Sequence, residues 1–123
     1  MTLYDPAALI RQITQEIGRL TAHVGTAPPA QAAQVLVEVM APEGILDQVT
    51  SLIAAGARFA QDRAAAGALP AEVWLALGRA SNELGAVNGD LAEHTEDLHR
   101  LAQAPPATTV AVAASALVAR RHR

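Results

Sequence analysis

The stretch VWLALGRASNELGAVNGDLAEHTEDLHRL, residues 73–101, decides how this chain folds. Within it Val73, Leu77, Ala80, Leu84, Val87, Leu91, His94, Leu98 and Leu101 recur alternately four and three apart, and all but His94 are apolar. A 4–3 alternation keeps one stripe on one side of an α-helix, the pattern of helices that pack lengthwise. The reading is one helix over 71–103, roughly 50 Å long. Asn88-Gly89 is a turn signal, and Asp90 with Glu93 has capping-box spacing. The stripe nevertheless keeps its phase across this pair, so one helix, kinked at most at Gly89, is expected rather than two.

Working outward, Leu69-Pro70 restarts the chain just before this helix, and Gly67 is the expected C-terminal cap of the one before it. That third helix starts at Ile45. It carries one apolar row of Ile45, Val49, Leu52, Gly56 and Phe59 and a second of Leu46, Ile53 and Ala60, a face broad enough for more than one neighbour. Few residues join the third and fourth helices, so they should lie antiparallel. Pro42, Glu43 and Gly44 break the chain upstream. Residues 30–41 alternate valines in a way that also suits a strand, but no second strand exists to pair with it, and helix is expected. At the N-terminus, Asp5-Pro6 is a cap followed by proline at the first helical position. Ile10, Ile13, Ile17, Leu20 and Val24 then repeat 3–4–3–4, and Gly25 should end this first helix.

The fold class expected is therefore all-α, an antiparallel helical bundle of about four helices with a long C-terminal helix and a short basic tail. The bundle domain covers residues 1–104. Pro105-Pro106 opens the tail, 105–123, which is either a short helix or disordered.

Composition narrows the function. The chain has 123 residues, one domain's worth, and 51% are hydrophobic, yet 29 are alanine and the aromatics are only Tyr4, Phe59 and Trp74. Alanine favours helix and buries little area, so each large side chain matters more than usual. With no cysteine, disulfides, thiolate catalysis and cysteine metal sites are excluded. The nine basic residues are all arginine, which reads as a coding bias toward GC-rich DNA. No secretory signal and no apolar run of ~18–20 residues is seen, so a cytoplasmic location is expected.

Reactive side chains concentrate at Asp90, Glu93, His94, Glu96, Asp97 and His99. Glu96 and His99 have the Glu-x-x-His spacing that lets one helical turn offer a carboxylate and an imidazole to a metal. A di-iron site needs a second such pair, and the chain has none, so an acidic helix end with a Glu96–Arg100 pair is the preferred reading, and no metal or other cofactor is expected. His94 lies in the apolar stripe. It is a candidate pH-sensitive group, against the simpler picture of a half-wet histidine bonded to Asp90 or Asp97. The three serines lie in no nucleophile-elbow context and no glycine-rich phosphate loop is present, so catalysis is not expected.

Gly67 and Val73 have the spacing of a helix-turn-helix. However, Arg63 and Pro70 fall where that motif does not allow them, and residues 45–103 carry four arginines against eight acids, which repels phosphate. Arg120, Arg121 and Arg123 are the one candidate anion-binding group, and the alternative function they suggest is a nucleic-acid-associated accessory protein. The preferred expectation is a non-enzymatic interaction protein that self-associates, as a homo-oligomer, or docks on another helical protein. The fourth helix outruns the first and second by several turns, which should leave part of its stripe uncovered. Trp74, Leu91, Leu98 and Leu101 are the expected interface, with Leu117 and Val118 as an added clamp.

Overall fold

The computed structural model describes residues 4–104, and these are helical throughout: α1 (Pro6–Thr26), α2 (Pro29–Val39), α3 (Ile45–Ala65), α4 (Ala71–Ala92) and α5 (Thr95–Ala102). The all-helical class is as expected, and α2 is a helix, not a strand. Leu117, Val118, Arg120, Arg121 and Arg123 lie outside the described residues. The described residues divide into two compact units, one of residues 36–98, the other of residues 4–35 with 99–104.

Helix α1 begins as its sequence dictates. The Asp5 carboxylate accepts from the Ala7 and Ala8 N–H groups at 3.1 and 3.3 Å, satisfying two of the donors a helix start leaves open. It does not end at Gly25. The helix runs on to Thr26, whose hydroxyl donates to the Ala22 carbonyl, and Ala27 N–H closes it on the His23 carbonyl. Pro28 forbids helical backbone at the residue before it, so the stop falls one step later than the glycine. None of the 21 residues of α1 is buried. In α2, Ala33 and Val37 are buried, one turn apart on one face.

The turn between α2 and α3 is tight. Glu43 takes a left-handed conformation with φ 63°. Its N–H donates to the Asp47 carboxylate at 2.8 Å. Gly44 has no such dihedral; its need is space. A Cβ there would stand 2.7 Å from the Glu38 carbonyl oxygen and 2.8 Å from that of Ala41.

Helix α3 ends in a Schellman motif. Ala68 N–H donates to the Arg63 carbonyl at 2.8 Å and Gly67 N–H to that of Ala64 at 3.0 Å, with Gly67 at φ 78°. Gly67 thus has the role its sequence position implied.

Helices α3 and α4 pack along each other. The seam on α3 is Leu46, Thr50, Ile53, Ala57, Ala60 and Ala64; on α4 it is Trp74, Leu77, Ser81, Leu84, Asn88 and Leu91, all at least half-buried. Both rows step four and three apart, and Ala60, only 1% exposed, marks the closest part. This corrects the expected stripe. Leu77, Leu84 and Leu91 belong to the seam, but Val73, Ala80 and Val87 lie one residue off it, and Ser81 and Asn88 occupy seam positions that an apolar count passes over. Near one end the Asn88 amide donates to the Thr50 hydroxyl at 2.9 Å, and Thr50 donates on to the Leu46 carbonyl at 2.8 Å. The Asn88 carbonyl oxygen is buried without a hydrogen-bond partner.

The expected single helix over 71–103 is two. Asn88-Gly89 runs through α4 without a break. The chain parts instead at Glu93-His94, where Glu93 and His94 N–H reach back three residues, to Asp90 and Leu91, in tightened 3₁₀-type bonds. Charge explains the position. The last turn of α4 contains no base, so Asp90 and Glu93 oppose the negative end of its dipole. Glu96 and Asp97 occupy the first turn of α5, and His99 and Arg100 its last, which is the favourable order for a new helix.

Candidate interaction surface

The residues chosen from sequence scatter. Trp74 and Leu91 are half-buried in the α3–α4 seam, so Trp74 is part of the packed row and not beside it. Leu98 is half-buried and Leu101 44% exposed, both on α5. The argument that placed them on an overlong helix falls, because α4 has 22 residues and α1 and α3 have 21 each. His94 is also displaced from any stripe. It sits at the α4–α5 junction with its side chain 68% exposed and Nδ1 4.0 Å from an Asp97 carboxylate oxygen. Glu96 and His99 are both exposed on α5. Among the described residues, no three His, Asp or Glu side chains gather closely enough to hold a metal ion. No helix among them is long and apolar enough to cross a membrane.

Exposed apolar side chains concentrate elsewhere, in two sets. On α1, Ile10, Ile13, Ile17 and Leu20 form an open row that follows the 3–4 spacing of the sequence, with Leu9 beside it. On α3, the row just before the seam, Ile45, Val49, Leu52 and Phe59, is open, with Leu52 68% and Phe59 63% exposed. On α4 the equivalent row leaves Val73 and Val87 open. Thus α3 carries two apolar rows, as its sequence suggested, and the seam takes the smaller one. Alanines at 57, 60 and 64 allow close approach of the two helices and leave the bulkier row outside.

Between these rows Gly56 opens a gap. A Cβ built there meets only the Leu77 Cδ1 atom, at 3.9 Å. A separate cleft of about 480 Å³, wide open to solvent, runs beside α4 and is lined by Glu72, Trp74, Leu75, Gly78, Arg79 and Asn82. All six of these described residues belong to α4. Sequence reading had pointed to Trp74 as an anchor but not to the Ile45–Phe59 row, although both rows of α3 were visible. What the sequence lacked was any sign of which row would be sealed. No family model, curated protein or solved structure matches this chain.

Proposed function

We propose that this chain is a non-enzymatic helical interaction protein that presents apolar helix faces to another helical surface. In this reading α3 and α4 run antiparallel as a hairpin. Two contacts support that orientation: Thr50, early in α3, meets Asn88, late in α4, and Gly56 lies beside Leu77 further along. Helices joined by a connection this short pack antiparallel by default.

The observation that carries the proposal is the exposed Ile45–Val49–Leu52–Phe59 row on a helix whose other apolar row is already sealed. Contiguous exposed apolar surface on an ordered element marks an interaction site, because full burial of a side chain of this size is worth about 1.5–3 kcal/mol and Leu52 and Phe59 forgo the larger part of it. Phe59 adds an aromatic side chain, the type enriched at binding hot spots. Native gel filtration of cell extract tests the reading. The protein should run well above the 12.7 kDa of its chain. Phe59→Asp, which changes an exposed residue and spares the seam, should return it to monomer size. A lone chain in extract at every concentration would refute the proposal.

A further inference from the structure

We draw no further inference here: the strongest candidate, the open apolar row of Ile10, Ile13, Ile17 and Leu20 along α1, is an unpartnered helix face, and nothing in the structure shows what covers it.

Discussion

Helix α1 has a cleaner amphipathic pattern than α3 or α4 and buries none of its residues, whereas α3 and α4, with noisier patterns, form the seam. The difference teaches that periodicity and packing are separate pieces of information. A 3–4 repeat with a good cap specifies where a helix starts and which side is apolar. Whether that side is covered depends on a second surface of matching shape. In the seam that match is made by alanines, by a half-buried tryptophan and by one polar pair. The polar pair adds nothing to the apolar count of the sequence, and the alanines add to it without marking which row will be sealed.

Four substitutions test this contrast. The largest effect is expected at the tightest point of the seam. Ala60→Glu buries a charge with no partner and should cost about 3–4 kcal/mol in urea unfolding, removing slow amide exchange from α3 and α4. An unchanged midpoint would mean that the seam is not what holds these helices. Asn88→Leu should act in the opposite direction. It removes a buried carbonyl oxygen that has no partner while Thr50 keeps its bond to Leu46, so stability should rise by about 1 kcal/mol. Loss of stability would show that the polar layer is worth more than its cost. A polar pair of this kind at a seam position is best known for fixing register, and the variant should therefore also be checked for a single set of amide resonances.

Asp5→Ala addresses the other side of the contrast. It removes both cap bonds of α1 and should cost about 1 kcal/mol there, seen as faster exchange in the first turn, with the unfolding midpoint of the α3–α4 pair unmoved. A shift of that midpoint would show that the two regions unfold together. The smallest effect belongs to Ile13→Ala. On an uncovered row it should change stability by less than about 0.5 kcal/mol in dilute protein. A loss of several times that size would mean the row is covered in solution.

Much of the fold was readable because its signals are local. The Asp5 cap, the proline at the start of α1, the Pro42–Gly44 turn and the Gly67 cap each depend on a few adjacent residues, and each is found where the sequence puts it. The break at Glu93-His94 was hidden because the apolar stripe continues in phase across it. The deciding factor was the order of charges along two helix dipoles, not hydrophobic spacing. The choice of seam was hidden for a different reason. Rows one residue apart on α3 are both apolar, and the smaller won because small side chains bring backbones close. For the interaction surface, the sequence supplied the broad apolar face of α3 and the exposure of Leu101, but it took helix length as the source of exposure and so did not foresee that Leu91 and Leu98 are half-buried.

The crowding around Gly44 has a consequence for how this chain can vary. Even one methyl group at that position would press on carbonyl oxygens at the end of α2, which cannot retreat without unwinding the helix. A saturation library should therefore find position 44 almost as intolerant as Ala60, although it lies in a surface turn. Its neighbour should behave oppositely: Glu43, already in a backbone region that suits glycine, has room to gain from that replacement. Backbone clearance, independent of greasiness, would thus write a second layer of constraint into the variation this protein can accept.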